Sequence, residues 1–242
     1  MMLHLHFVRH GQTYFNIYNK MQGWSNSPLT EAGIADAEKA GEKFKNTYFP
    51  AVYCSDTTRA HKTALKIIEM NEAEQGKPEL IMTSFFREQF YGYYEGLDAE
   101  MTWSAAGGPH GARTYKEIIE KFGHWATRDF MKEADPFHDA ESNEEYWDRI
   151  FKGYDLIASN PNLKDGDHVL IIAHGNSLLS LMYRFGPSDF DLSERPSTGS
   201  ETCVEFDTSK PKYEGIKIVS FNDDCSSKSF EAEAREKAET KV

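Results

Sequence analysis

Two predicted strands of this chain end in the same pair of residues, a histidine followed by a glycine. Residues 168–173 form a nearly continuous apolar run, which is typical of a strand that is covered on both faces. Residues 3–8 alternate as a strand does and are followed by Arg9, His10 and Gly11. Since ligand sites in α/β folds lie at the carboxyl ends of strands, His10 and His174 are predicted to meet in one crevice. The glycine after each histidine predicts close approach by a ligand.

The remaining sequence alternates short apolar runs with amphipathic segments. Further strands are predicted at residues 51–54, 80–82, 202–206 and 215–219. Helices are predicted to begin at side chains that can cap an N-terminus, namely Thr30, Ser55 or Asp56, Ser142, and Asn176 or Ser177. This alternation predicts an α/β fold, a three-layer α/β/α sandwich around a mostly parallel sheet.

One long segment interrupts the alternation. Residues 97–140 contain a Gly-Gly-Pro run and one modest helical stretch at 115–122, so we expect a cap-like insertion over the site. A single domain is predicted over residues 1–225. Residues 226–242 are rich in Glu, Lys and Ala and are expected to form a polar C-terminal tail.

Charge and composition exclude several classes of partner. The formal net charge of −12 over 242 residues disfavours nucleic acid and anionic membrane surfaces, since both need clustered Lys and Arg. No apolar run approaches the about 20 residues that span a bilayer, and the start of the chain lacks the pattern of a signal peptide. Three widely separated cysteines predict neither a disulfide framework nor a structural zinc site. A cytoplasmic location is expected.

Several short motifs recur in the order and at the distances of one known family. They are residues 9–16 (RHGQTYFN), 22–23 (QG), 28–33 (PLTEAG), 55–60 (SDTTRA), 87–88 (RE), 91–96 (YGYYEG), 141–142 (ES) and 173–177 (AHGNS). Arg-His-Gly alone would be a weak signal, whereas the set is specific and spans about residues 3–206. The chain resembles the histidine phosphatase superfamily, the phosphoglycerate mutase-like enzymes.

The resemblance implies a role for each residue of the motifs. His10 would be the nucleophile that forms a phosphohistidine, and Glu88 the general acid. Arg9, Arg59 and His174 would surround the transferring phosphoryl group, and Asn16 would add a hydrogen bond. Gln22 and Gly23 would line the same pocket. Neither a metal nor another cofactor is expected.

Three functions share this fold. The favoured one is a phosphomonoester hydrolase that acts on a small phosphorylated metabolite, the alternative is a phosphoglycerate mutase, and the remote one is a catalytically inactive binding module. Inactivity would require loss of a catalytic residue, and none is lost. The mutase motif has Arg-His after the catalytic Glu, then Gln-Gly and later a lysine, where this chain has Gln89-Phe90, Glu95-Gly96 and Ala99. Gln22-Gly23 also matches the phosphatase branch better, so hydrolysis is favoured.

Other conspicuous residues are given structural interpretations. His4 and His6 share a strand face but have no accompanying carboxylate or cysteine, so no metal site is predicted there. Trp103, Trp125 and Trp147 are expected to be packing residues. A second anionic group of a substrate could meet the cationic side chains of the insertion, which are His110, Arg113 and His138.

Overall fold

The computed structural model describes residues 1–188, 190, 195–211 and 213–226. Six strands form one sheet in the order β3-β2-β4-β1-β5-β6. Their bounds are β1 Met2–Arg9, β2 Ala51–Ser55, β3 Glu79–Thr83, β4 His168–Ala173, β5 Glu201–Asp207 and β6 Ile216–Asp223. Strands β1 to β4 pair in parallel, while β5 and β6 are antiparallel to their neighbours. The predicted α/β fold with a mostly parallel sheet is confirmed.

Helices cover both faces of the sheet. Their bounds are α1 Tyr14–Ile17, α2 Glu31–Lys43, α3 Thr58–Met70, α4 Ala99–Gly107, α5 Tyr115–Phe122, α6 Ala126–Ala134, α7 Asn143–Ala158 and α8 Gly175–Phe185. Short 3-10 turns lie at Ser84–Phe86, Gly92–Tyr94 and Gly108–His110. One apolar cluster joins the sheet to α7 and α8, and a second joins the opposite face to α2 and α3. Alternate residues of β4 enter the two clusters, which explains why this strand is apolar at every position from Val169 to Ala173.

Strands β1 and β4 lie side by side at the centre of the sheet. Their register pairs Arg9 with Ala173, the last residue of each strand. Because the two strands are parallel, the residues that follow them, His10 and His174, leave the sheet at the same edge. Adjacency of the two strands, which the sequence does not encode locally, is what brings the histidines together.

The predicted helix starts were right at two positions and wrong at two. Thr30 and Ser142 cap α2 and α7 through hydrogen bonds from the amides of Gly33 and Glu145. The residue before α3 is Thr57, because Ser55 still belongs to β2. Helix α8 begins at Gly175, so His174 itself is the residue at its N-cap.

The insertion contains three helices, α4 to α6, where the sequence predicted one. They pack on one another around Trp103, Ile118 and Met131, and this cluster also includes Met21 and Tyr91 from outside the insertion. Helix α4 runs into the Gly-Gly-Pro stretch and carries little helical periodicity, whereas α6 is amphipathic and was missed. Their apolar faces are covered only in the folded protein.

The tryptophans divide into two groups. Trp103 and Trp147 are each 6% exposed and pack in the insertion and the main core, whereas Trp125 is 43% exposed. The predicted tail lies outside the described residues beyond Ser226. Within the described ranges, we find no helix with the length and apolarity needed to cross a bilayer.

Candidate active site

A cavity of about 220 Å³ lies at the carboxyl ends of β1 and β4. Five of the eight residues predicted to form the site line it, namely Arg9, His10, Asn16, Gln22 and Glu88. Met21, Tyr91 and Trp103 of the insertion cluster line it as well. Arg59 donates a hydrogen bond to His10, and the ring of His174 packs edge to face against His10 with centroids 5.1 Å apart. The insertion therefore forms part of the wall of the cavity.

His10 has a defined tautomer. Its Nδ1 lies 2.8 Å from the carbonyl oxygen of Gly11. Since a carbonyl can only accept, Nδ1 carries the proton and Nε2 keeps its lone pair. Burial lowers the pKa of His10 well below its usual value, and the charges of Arg59 and Arg9 lower it further. A neutral imidazole with an unprotonated Nε2 is the form that can act as a nucleophile.

Arg59 joins the two histidines. It is fully buried at the start of α3, and its Nε donates to His10 Nε2 at 3.2 Å. Its Nη2 donates to His174 Nδ1 at 3.1 Å. Because that contact makes Nδ1 an acceptor, a neutral His174 carries its proton on Nε2. Burial, followed by the charge of Arg59, lowers the pKa of His174 well below its usual value.

Arg9 is the second cation beside His10, and it is half-buried. Its Nη1 donates to the carbonyl oxygen of Pro196 at 2.5 Å. Burial is the main cause that lowers the pKa of both Arg9 and Arg59 to about 10, so both guanidinium groups stay charged at neutral pH. One buried and one half-buried cation flank a neutral histidine, and the sign of this field suits a phosphate.

The glycines that follow the two histidines, Gly11 and Gly175, lie so close to other protein atoms that a side chain would not fit freely. A Cβ on Gly11 would lie 2.0 Å from the carbonyl oxygen of Gly33, and one on Gly175 would lie 3.2 Å from the Arg9 guanidinium carbon. The sequence predicted close approach by a ligand at both positions. That interpretation was wrong for Gly11, whose close neighbour is backbone, and at Gly175 the missing side chain leaves room for Arg9.

Glu88 sits against the first turn of α8. Its Oε2 accepts from the Asn176 amide at 2.8 Å, while Oε1 accepts from the Gln89 amide at 2.9 Å and from Ser177 Oγ at 3.1 Å. The first amides of a helix have no acceptor within the helix, so the Asn176 amide is available to hold this side chain. The side chain is 4% exposed and is held in one orientation.

Three buried nitrogen atoms around the cavity have no hydrogen-bond partner among the described residues: Arg9 Nε, Gln22 Nε2 and His174 Nε2. Buried polar groups in proteins are nearly always paired, so a cluster of unpaired donors at one place calls for an explanation. With the tautomer given above, all three are donors. A tetrahedral oxyanion beside His10 would supply the missing acceptors.

The three predicted binding residues differ in position. Asn16 and Gln22 line the cavity, and both turn their carbonyl oxygens to Thr13 at 3.0 and 2.8 Å. Gly23 instead accepts a hydrogen bond from Arg59 Nη2 at 2.7 Å. A Cβ at this position would lie 2.0 Å from the Gln89 carbonyl oxygen. Gly23 is thus placed to position Arg59 rather than to line the cavity.

Glu95 has a role that the sequence did not indicate. Its carboxylate accepts from the amides of residues 23, 24, 25 and 91 at 2.8 to 3.2 Å, and from Ser25 Oγ at 2.5 Å. The carbonyl oxygens of Gly23 and Ser25 in turn accept from Arg59. Glu95 therefore fixes the loop that holds Arg59. In the sequence, only its place in the motif at residues 91–96 could have indicated a role at the site.

Arg149 was also missed. It lies on α7 and donates to the carbonyl oxygens of residues 84, 85, 87 and 88. Its Nε and Nη2 also donate to the two carboxylate oxygens of Glu141, at 2.6 and 2.7 Å. The pair fixes the backbone of the segment that carries Glu88. No sequence pattern connects Arg149 to that segment.

The cationic residues of the insertion do not lie together. His110 stacks on Phe130 with ring centroids 3.6 Å apart and contacts Glu133, and His138 contacts the Lys132 carbonyl. Arg113 alone of the three lines a cleft that adjoins the cavity. Of the three residues predicted to meet a second anionic group, only Arg113 is therefore placed to do so.

His6 has partners that the sequence analysis overlooked. Antiparallel pairing of β5 with β1 brings Glu201 and Cys203 to it, with potential ligand atoms within 4.8 Å of one another. The statement that no carboxylate or cysteine accompanies His6 was wrong. The donor set suits a metal poorly, since Lys43 pairs with Glu201 at 2.5 Å and burial raises the pKa of the Cys203 thiol to about 12. The absence of a metal site stays a prediction.

Comparisons with known proteins agree with this geometry. A sequence model of the histidine phosphatase superfamily (branch 1) matches residues 5–219. The 2,3-bisphosphoglycerate-dependent phosphoglycerate mutase of Bartonella henselae is 33% identical over 208 residues, which cover 83% of this chain and 91% of the relative. Among solved structures, phosphoglycerate mutase from Bacillus anthracis matches with a TM-score of 0.80 and 29% identity, covering 92% and 94% of the two chains. The α-ribazole phosphatase from Shigella flexneri shares the fold at 18% identity, with a TM-score of 0.61 over 91% of this chain and 96% of its own.

Proposed function

The chain belongs to the histidine phosphatase superfamily, branch 1, and from this premise we propose that it is a phosphomonoester hydrolase. It acts without a metal on a small phosphorylated metabolite, through a phosphohistidine at His10. The observation that carries the proposal is the group of unpartnered buried donors on Arg9, Gln22 and His174 around a neutral His10. This arrangement supports binding of a phosphoryl group in line with His10 Nε2.

The reaction has two steps. In the first, His10 Nε2 attacks phosphorus with its lone pair, the bond from phosphorus to the leaving oxygen breaks, and Glu88 in its acid form protonates that oxygen. In the second, Glu88 takes a proton from water, whose oxygen attacks phosphorus as the phosphorus–nitrogen bond breaks. Inorganic phosphate and neutral His10 remain, and Glu88 has regained its proton.

The surrounding groups stabilise charge on the phosphoryl oxygens. Arg9 and Arg59 supply two full positive charges in a buried site, where electrostatic interactions are stronger than in water. His174 Nε2 and Gln22 Nε2 supply neutral donors, and Asn16 lines the same wall. These groups favour the transition state in both steps.

A phosphoglycerate mutase is the second candidate. It is supported by the name of the 33% identical relative and by the TM-score of 0.80 to a phosphoglycerate mutase. Against it, Ala99 lines the cavity at the position where the mutase motif carries a lysine. Gln89 and Phe90 stand where that motif has Arg-His, so cations for the second charged end of a phosphoglycerate are missing at these three positions.

The deciding experiment measures phosphate release from a panel of small phosphomonoesters beside the interconversion of 2- and 3-phosphoglycerate. The second assay is run with and without 2,3-bisphosphoglycerate. We expect phosphate release to dominate. Fast interconversion without phosphate release would show that the protein is a mutase.

Replacement of Arg59 by lysine tests the fork of hydrogen bonds around His10. Arg59 donates to His10, His174 and the loop carbonyls at once, and an ammonium group cannot reproduce this planar set. Arg59→Lys should lower kcat/KM for a phosphomonoester by at least about tenfold, or about 1.4 kcal/mol. An unchanged kcat/KM would mean that Arg59 plays no part in the site.

Replacement of Glu95 by glutamine tests whether the loop positions Arg59. The amide keeps one acceptor oxygen but turns an NH₂ group toward backbone donors, so we expect kcat/KM to fall by about tenfold. Glu74→Gln, an exposed change elsewhere, is the control. In the double variant with Arg59→Lys the two losses should be less than additive, because both act through Arg59. Fully additive losses would assign Glu95 a separate, structural role.

A further inference from the structure

The catalytic cavity adjoins a second cleft, with a volume of about 1110 Å³. Four residues line both spaces: Asn19, Ala99, Trp103 and Arg195. A group attached to a phosphoryl at His10 can therefore extend past these four side chains into the cleft. The cleft is several times larger than the catalytic cavity and can hold more than a three-carbon acid.

Three aromatic side chains form one part of the wall of the cleft: Trp103, Tyr115 and Phe190. Trp103 and Tyr115 pack edge to face with ring centroids 4.8 Å apart, and Ile119 and Phe190 add apolar surface. Trp103 also packs against Tyr91, at 6.2 Å between centroids, so its ring is fixed. Rigid aromatic walls with a few charged groups are typical of sites for organic ligands.

Arg195 is the charged residue at the junction of the two spaces. Its guanidinium carbon lies 4.6 Å above the Tyr115 ring, which orients the group by a cation–π contact. Arg195 also lines the catalytic cavity with Arg9, and its charge contributes, after burial, to the lowered pKa of Arg9. Two guanidinium groups that repel each other at one cavity are stabilised by an anion that reaches both.

The rest of the cleft adds further positive charge. Arg113 and Lys116 line it together with Glu100 and Glu120, and Lys116 lies 3.7 Å from Glu120. Three cations and two anions among the described lining residues contrast with a formal net charge of −12 for the protein. The local balance favours a negatively charged ligand.

We propose that the cleft binds the leaving group of the substrate, and that this leaving group carries an apolar ring against Trp103 and Tyr115 and a second anionic group bound by Arg195. The proposal rests on the proposed hydrolase function. Arg195 lies outside every motif that carries the family resemblance, so this selectivity is a property of this chain's own residues. The proposed substrates are phosphomonoesters whose leaving group is an anionic aryl or similarly bulky group.

A matched pair of esters tests the role of Arg195. 4-(Carboxymethyl)phenyl phosphate and 4-ethylphenyl phosphate have similar size and similar phenol leaving groups but differ by one negative charge. We expect wild-type kcat/KM to favour the carboxylate by about tenfold, the size of one charge-assisted hydrogen bond. Arg195→Ala should abolish this preference and Arg195→Lys should restore part of it. Lys152→Ala, an exposed loss of charge on α7, should leave the preference unchanged.

Two outcomes would overturn the proposal. Equal kcat/KM for the two esters in the wild type would show that the cleft does not recognise the anion. An equal loss for both esters in Arg195→Ala would place Arg195 on the transferring phosphoryl group instead. Failure of the hydrolase function would appear differently, as no phosphate release from either ester. In that case calorimetric binding of the same pair to His10→Ala, with and without Arg195→Ala, still tests the cleft.

Discussion

His10→Ala should reduce phosphate release to the background rate and abolish the phosphoenzyme. The reason is that His10 Nε2 is unprotonated and lies beside Arg59 and His174, with the charge of Arg9 also acting on the ring. Loss of a nucleophile removes the covalent step altogether, so we expect a fall in kcat of at least about 1,000-fold. Quenching the wild type during turnover and measuring acid-labile, base-stable protein-bound phosphate detects the intermediate.

Controls separate this loss from misfolding. His61→Ala removes a partly exposed histidine on α3 and should keep both turnover and the phosphoenzyme. Thermal melting of His10→Ala, followed by circular dichroism, should show a folded protein. A folded variant that retains most of its rate would exclude His10 as the nucleophile.

Glu88→Gln should have the second largest effect, and the size of that effect should depend on the leaving group. A general acid contributes about 100- to 10,000-fold when the leaving oxygen is basic, and little when it is a stable phenolate. We therefore expect phosphohistidine formation from an alkyl phosphate to slow by at least about 100-fold. Formation from para-nitrophenyl phosphate should be largely spared. Burst kinetics isolate this step from the later hydrolysis.

The substrate pair is the internal control for the Glu88 experiment. The carboxyl group accepts hydrogen bonds from Asn176, Gln89 and Ser177, so an amide at this position must turn its NH₂ toward a donor. Any resulting displacement would slow both substrates alike. If phosphohistidine formation slowed by the same factor with both esters, Glu88 would be a positioning residue and another group would be the general acid.

Local features of the fold were predictable because each depends on neighbouring residues. Strand β4 was evident from its apolar run, and Thr30 and Ser142 were recognised as caps because each bonds an amide three residues ahead. The same locality explains the errors. Ser55 resembles a cap, but pairing of β2 with β3 keeps it in the strand and moves the start of α3 to Thr58.

The sequence by itself predicted that His10 and His174 meet, since each follows a strand that its own apolar pattern indicates. Arg59 and Glu88 were predicted only through the family resemblance of their motifs. Only the tertiary structure decided which groups support them. Glu95 lies 70 residues from Ser25, and Arg149 lies 61 from Glu88, yet each pair is joined by a hydrogen bond. Glu201 reaches His6, and Arg195 reaches the cavity of Arg9, only because β5 pairs with β1. Contacts of this kind depend on strand order and side-chain packing, which leave no periodic or local pattern in the sequence.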